Sequence, residues 1–244
     1  MNAPDIDTAE SLWDLLSPMG KVRNALGPFL NPFFVMERGS LRARGTSSRL
    51  IWSMPHCVRA FASPHRLREW SVTMARVDGL YLEFGVATAT STNHIARTLR
   101  SLGVRSMLYG FDWFQGLPEP WRRGLGAGAF KQARIPNVET NVELKVGLFN
   151  DTLPEFLHEH TGPVSYIHVD CDLYSSTKYV LEQLDHARRL VAGTVILFDE
   201  LLNYPGWSHD GEYRALVETL GPPFARYRYL GLAPMWQQVA IVIN

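Results

Sequence analysis

The stretch Val164–Thr177, VSYIHVDCDLYSST, sets an apolar run against two carboxylates, Asp170 and Asp172, and then a hydroxyl-rich turn. Immediately after it, SSTKYVLEQLDHARRLV has the spacing of a long helix. A short apolar run that passes through a polar turn into a helix reads as a buried strand feeding a helix. The pattern recurs downstream, where GTVILFDELLNYPGW carries a second apolar run ending in Asp199 and Glu200.

The rest of the chain from residue 66 repeats this grammar. GLYLEFGV, SMLYGFD and NVELKVGLF are three more short apolar runs. Between them lie helical stretches: HRLREWSVTMARV, STNHIARTLRSLG, DTLPEFLHEH and, later, GEYRALVETLG. Ser91 or Thr92 is placed to cap the second of these and Gly103 to end it. Asp151 falls near the start of the third, with Pro154 in its first turn. Five apolar strands alternating with helices imply βαβ units, hence a parallel sheet covered on both faces. The final segment, RYRYLGLAPMWQQVAIVIN, holds two strand-like runs without a helix between them, which adds an antiparallel edge. The expected fold is α/β, a mostly parallel sheet with helices on both faces.

Residues 1–65 differ. Pro18, Gly20, Pro28 and Pro32 break the segment into short helical pieces, because proline is costly inside a helix. Trp13, Phe29, Phe33 and Phe34 make those pieces apolar. The expected organisation is an N-terminal helical cap over residues 1–65 and one domain over 66–244. The cap would cover an active site, mediate a subunit contact such as a homodimer, or simply add a layer to the core.

Composition excludes several classes of partner. The chain has 244 residues, 46% hydrophobic and 20% charged, with a formal net charge of +0. No bulk electrostatic attraction to nucleic acid or a membrane surface follows from that balance. The N-terminus is acidic and lacks the basic and apolar regions of a secretory signal. No apolar run reaches about 18 residues, so no transmembrane helix is expected. Two cysteines, Cys57 and Cys171, are too few for a disulfide framework, and the expected location is the reducing cytoplasm.

Ligands of open parallel sheets bind outside the carboxyl ends of the strands. That rule brings Glu83 and Gly85, Asp112, Asp170 and Asp172, and Asp199 and Glu200 to one rim. Gly85 is a lone glycine, not a G-x-G-x-x-G fingerprint, and there is no Walker-type G-K-[ST]. A cofactor with a ribose and little phosphate fits this rim better than a dinucleotide. Asp112 could accept hydrogen bonds from vicinal ribose hydroxyls, or could simply form the turn before the next loop.

ExG at Glu83–Gly85, GFDWFQGLPEPW, HVDCDLYSSTKYVLEQL and GTVILFDELLNYPGWSHDGEYRAL together resemble the class I methyltransferases that use S-adenosylmethionine (SAM), and within them the macrocin O-methyltransferase subgroup. The resemblance spans roughly Leu67 to the C-terminus. It implies a seven-stranded Rossmann-like sheet, SAM as methyl donor, and a divalent metal, usually magnesium, that binds hydroxyls of the acceptor. Residues expected around the cofactor are Glu83, Gly85, Ala87, Ser91, Asp112, Trp113, Asp151 and Asp170. The chain departs from the family's E-x-G-x-G-x-G pattern, since Ala87 and Ala89 stand where glycines are usual.

Magnesium prefers oxygen ligands in octahedral geometry. Asp170, Asp199 and Glu200 are the expected ligands, with Asp172 an alternative to Asp170. Adjacent acids such as Asp199 and Glu200 repel unless a cation or an arginine lies between them. Asp172 could instead cap the following helix or take part in catalysis. His209, in the loop WSHDGEY, is the candidate general base for an acceptor hydroxyl. Loop aromatics, among them Trp113, Trp121 and Trp236, could wall an acceptor site. The expected activity is SAM- and magnesium-dependent O-methylation of a small hydroxylated natural product, a sugar or polyketide moiety. The alternative is a non-catalytic binding or scaffolding protein that kept the fold.

Overall fold

A computed structural model of the chain describes residues 40–55 and 58–244. The aromatic pieces containing Trp13, Phe29, Phe33 and Phe34 lie outside the described residues, as does Cys57. Eight strands form one sheet: β1 (Arg59–Ala60), β2 (Leu80–Phe84), β3 (Leu108–Asp112), β4 (Val142–Val146), β5 (Val164–Val169), β6 (Val195–Phe198), β7 (Tyr227–Leu232) and β8 (Val239–Ile243). The helices are α1 (Ser40–Ser53), α2 (Pro64–Met74), α3 (Thr90–Ser101), α4 (Phe149–Glu159), α5 (Tyr174–His186) and α6 (Glu212–Leu220). The sheet is Rossmann-like, as expected, with one strand more than the seven implied.

The strand order is β1-β7-β8-β6-β5-β2-β3-β4. From β2 the chain moves outward through β3 and β4 and returns to place β5 on the other side of β2. This reversal is the switch point at which such sheets bind ligands. Only β8 runs against the rest. It pairs antiparallel with both β6 and β7, while β7 pairs parallel with β1. The expected antiparallel edge is thus an internal reversed strand. β1, whose two residues carry no periodicity, forms the true edge.

Alternation along the strands builds two cores. Leu82, Phe84, Ile167, Val169, Ile196 and Phe198 face α4, α5 and α6 together with Ile51 of α1. Tyr81, Tyr166, Val195 and Leu197 face the other way, onto Leu67 and Trp70 of α2 and Ile95 and Leu99 of α3. Period-two side chains in a sheet covered on both faces require this partition. The described part of segment 1–65 joins the same body. Asn203 N donates to Ser47 Oγ (3.0 Å) and Trp207 Nε1 donates to Thr46 Oγ1 (3.0 Å), so α1 clasps the loop after β6.

Three helix starts differ from expectation. α3 is capped by the backbone of Ala89 at φ 60°, with no side-chain cap from Ser91 or Thr92. α4 begins at Phe149, two residues early, which moves Pro154 out of the first turn. α5 has Leu173 as its N-cap residue with no side-chain hydrogen bond, so Asp172 does not cap it. Gly103 ends α3 as expected, in the left-handed conformation (φ 73°). No helix among the described residues is long and apolar enough to cross a membrane.

Candidate active site

A cavity of about 1470 Å³ opens at the carboxyl ends of β2, β3, β5 and β6. Its floor is the switch point. Gly85 N donates to Phe111 O (3.0 Å) and Asp170 N to Phe84 O (2.9 Å), which ties the ends of β2, β3 and β5 together. Gly85 sits at φ 93°, and a Cβ there would collide with the Asp170 carbonyl. Glycine is therefore required for the two strand ends to approach.

The turn after β2 is organised by Asp112. Its Oδ2 accepts from Val86 N (2.9 Å) and Ala87 N (2.8 Å), and its Oδ1 accepts from Phe114 N (2.6 Å). The turn that this carboxylate holds contains two alanines in left-handed backbone, Ala87 (φ 43°) and Ala89 (φ 60°). A Cβ makes that conformation unfavourable, so the charge-assisted hydrogen bonds offset strain that glycines would avoid. Asp112 meets the turn-forming expectation and stands at the cavity.

Of the residues expected around a cofactor, Gly85, Ala87, Asp112, Trp113 and Asp170 line the cavity. Glu83, Ser91 and Asp151 do not. Glu83 points to the α2/α3 face and is fully buried, with Oε1 2.8 Å from His168 Nδ1. Ser91 is buried in the first turn of α3. Asp151 is exposed because α4 starts early, and Phe149 and Asn150 take the wall position instead.

The acids at the ends of β5 and β6 form two clusters that share Asp170. Asp199 is bound on the α2 side: Arg68 donates to Oδ1 (3.1 Å), His168 Nε2 lies 3.4 Å from the same oxygen, and Gln238 donates to Oδ2 (2.9 Å). Burial disfavours a charged His168 ring, but hydrogen bonds to Asp199 and Glu83 outweigh it and push its pKa up to about 9. Burial likewise opposes ionisation of Asp199, and the His168 hydrogen bond with the His168 and Arg68 charges outweighs it, holding Asp199 well below the usual carboxylate range. Glu83, His168, Asp199 and Arg68 thus form a buried chain of alternating charge. Both Asp199 oxygens are engaged in these hydrogen bonds, and Asp199 also lies with His168 and Asp170 in a cluster whose ligand atoms are within 4.8 Å of one another.

Asp170, Asp172 and Glu200 form the second group, with one oxygen from each within 4.8 Å of the others. All three line the cavity. Asp172 reaches it from a left-handed backbone at φ 62°. Burial first, and then neighbouring carboxylates, push Asp170 and Glu200 well above their ordinary values. Burial raises Asp172 to about 7 against the opposing charge of Arg122. Behind them, Glu212 is fully buried at the first turn of α6; its Oε2 accepts from Glu200 N (2.9 Å), and its Oε1 has no partner. Glu200 Oε2 is also buried without a partner. Crowded carboxylates with orphaned oxygens fit an oxygen-preferring divalent cation.

His209 is exposed on the loop after β6 and does not line the cavity. A base must lie within hydrogen-bond reach of its proton, and His209 stands apart from the acids that line the cavity. The loop after β3 forms the outer wall. Trp121 and Arg122 line it, with the Arg122 guanidinium 3.6 Å from the Trp121 ring centre. The glycine-rich stretch within this loop is pinned by Trp121 N to Leu125 O (3.0 Å) and Leu117 N to Ala129 O (2.8 Å). Trp236 lines the cavity from the other side.

Sequence reasoning missed Arg68, Gln238 and Glu212. Arg68 is one of several charged residues of HRLREW and Gln238 the second of two adjacent glutamines, and nothing local singles either out. Glu212 did carry a local signal, since an acid directly after Gly211 opens a helix.

Residues 82–201 match a family model described as a methyltransferase domain. The structure is similar to the apo structure of CalS11, a TDP-rhamnose 3'-O-methyltransferase of calicheamicin biosynthesis. The TM-score is 0.53 at 20% identity, covering 93% of this chain and 95% of that one. It is similar also to the O-methyltransferase NovP, with a TM-score of 0.53 at 20% identity over 74% of this chain and 79% of that one. A comparison of the sequence with curated proteins returns no match. The chain has the fold of these methyltransferases.

Proposed function

We propose that the protein is a SAM- and magnesium-dependent O-methyltransferase of a small hydroxylated natural product, with a sugar or polyketide hydroxyl as acceptor, as in the macrocin subgroup. The observation that carries this reading is one cavity shared by the Gly85–Ala89 turn and by Asp170, Asp172 and Glu200. The cavity volume leaves room for a nucleoside-sized donor beside an acceptor. The family match and the two fold neighbours support methyl transfer as the chemistry.

In this reading Gly85, Ala87, Asp112, Trp113 and Asn150 hold the donor. Asp112 retains acceptor capacity on Oδ1 beyond the Phe114 amide, toward a ribose hydroxyl. Asp170, Asp172 and Glu200 hold the metal, with Asp199 kept outside the set by Arg68. Bound magnesium would supply Lewis acidity that eases loss of the acceptor's proton. If Asp170 and Glu200 alone held the metal, the Asp172 carboxylate beside them would be the group to take up that proton. Trp121, Trp236 and Phe149 exclude water and orient the acceptor's apolar face. Positioning for in-line displacement at the methyl carbon contributes much of the rate.

The test is transfer of isotopically labelled methyl from SAM to a panel of deoxysugar and polyketide hydroxyls, with magnesium or with EDTA. Labelled product that requires magnesium supports the proposal. SAM binding with no transfer to any acceptor, and no magnesium effect on donor or acceptor binding, would favour the non-catalytic reading, to which the strained Ala87 and Ala89 turn lends weight.

A further inference from the structure

We infer that His65, Glu69 and His94 form a second metal site, for a borderline divalent ion such as Zn2+, on the outer face of the α2–α3 pair. His65 and Glu69 lie four residues apart in the first turns of α2 and so share one helical face. His94 comes from the first turns of α3, which packs beside α2. One ligand atom from each residue lies within 4.8 Å of the others. None of the three lines the active-site cavity, so this cluster is separate from Asp170, Asp172 and Glu200.

The donor set selects the metal class. Two imidazoles and one carboxylate suit zinc, nickel or copper, whereas magnesium takes oxygen ligands and does not compete well here. His94 Nδ1 is buried and has no hydrogen-bond partner, which singles it out as a donor atom without its usual satisfaction. Burial, followed by the nearby charges of His65 and Arg68, lowers the His94 pKa to about 4, so its ring is neutral at physiological pH. The two arginines whose charges act on His94 are paired elsewhere, Arg68 with Asp199 (3.1 Å) and Arg97 with Glu139 (3.0 Å). Glu69 therefore supplies the negative charge that a dication at this spot requires.

The His65 and His94 rings are stacked, with centres 3.7 Å apart and planes at 15°. Stacked rings direct their lone pairs side by side rather than at one point. Metal capture must turn the exposed His65 ring edge-on, and Zn–N bonds of about 2.0–2.1 Å then draw α2 against α3. α2 carries Arg68, and α3 begins at the Ala87–Ala89 turn. A metal here would staple together the two helices that position Asp199 and the wall of the cavity.

Zinc chloride is titrated into the full chain, with magnesium in excess to compete at the cavity carboxylates, and the imidazole proton resonances are followed by NMR. Site-specific binding shifts the His65 and His94 resonances as their stacking is lost. His65→Ala, an exposed substitution that leaves the fold intact, weakens this binding at least about tenfold, and Glu69→Gln weakens it in the same direction. The inference is overturned if zinc leaves both resonances in place, or if His65→Ala and Glu69→Gln bind zinc as the natural chain does.

Discussion

Replacing Ala87 by glycine should stabilise the fold, although it removes a side-chain atom. Ala87 is held at φ 43° and is half-buried at the cavity wall. Left-handed backbone costs a residue with a Cβ roughly 1–2 kcal/mol, which glycine does not pay. Against this, the unfolded chain gains freedom worth about 0.4–1 kcal/mol. The balance is a gain of about 0.5–1 kcal/mol. Ala89→Gly is the control. Ala89 has the same left-handed backbone (φ 60°), but its methyl is fully buried against Val86 and Phe114. Losing a buried methyl costs about 0.8 kcal/mol, so Ala89→Gly should come out near zero. Urea denaturation of the three proteins measures both differences, and calorimetric SAM titration should show affinity unchanged or tightened in Ala87→Gly. Destabilisation of Ala87→Gly by about 1 kcal/mol or more would show that the alanine is not strained, and the role given to Asp112 in holding the turn would fail with it.

Arg68→Met should destabilise by about 3–5 kcal/mol in urea denaturation, because it leaves Asp199 buried without its guanidinium; a loss within experimental error would mean that His168 and Gln238 suffice. The metal-free protein should lose stability as pH rises from about 4 to 7. The folded pKa of Asp172, about 7, lies above its unfolded value near 3.8, so the native state binds more protons in that window and its advantage disappears on passing through it. The effect is at most a few kcal/mol, magnesium should reverse it by favouring the ionised carboxylates, and thermal melts at both pH values with and without EDTA measure it.

The parts of this molecule legible in the sequence are those set by repetition. Apolar runs of alternating burial, punctuated by helices, specify β2 to β6 and the faces they bury. The rule that ligands gather at carboxyl ends then brings Asp112, Asp170, Asp172 and Glu200 to one cavity. Features set by single contacts were not legible. β1 has two residues and no period, and β8 is inserted between β6 and β7 by pairing energy that no local pattern encodes. α4 starts at Phe149 because the turn at Gly147 permits it, and that shift exchanges Asp151 for Asn150 at the wall. Asp199 and Glu200 are adjacent in sequence and equivalent by composition. Only tertiary contacts distinguish their surroundings: Arg68 from α2, 131 positions away, together with His168 and Gln238, engages Asp199 and not Glu200.

The most direct test of a shared cavity uses Mn2+ in place of magnesium and follows the S-methyl proton resonance of SAM in the presence of the protein. If Asp170, Asp172 and Glu200 hold the cation beside the donor, Mn2+ broadens that resonance strongly, and Glu200→Gln abolishes the broadening while SAM still binds. If SAM and Mn2+ both bind and the resonance stays sharp, the cation and the methyl donor occupy separate places, and the proposed chemistry does not hold.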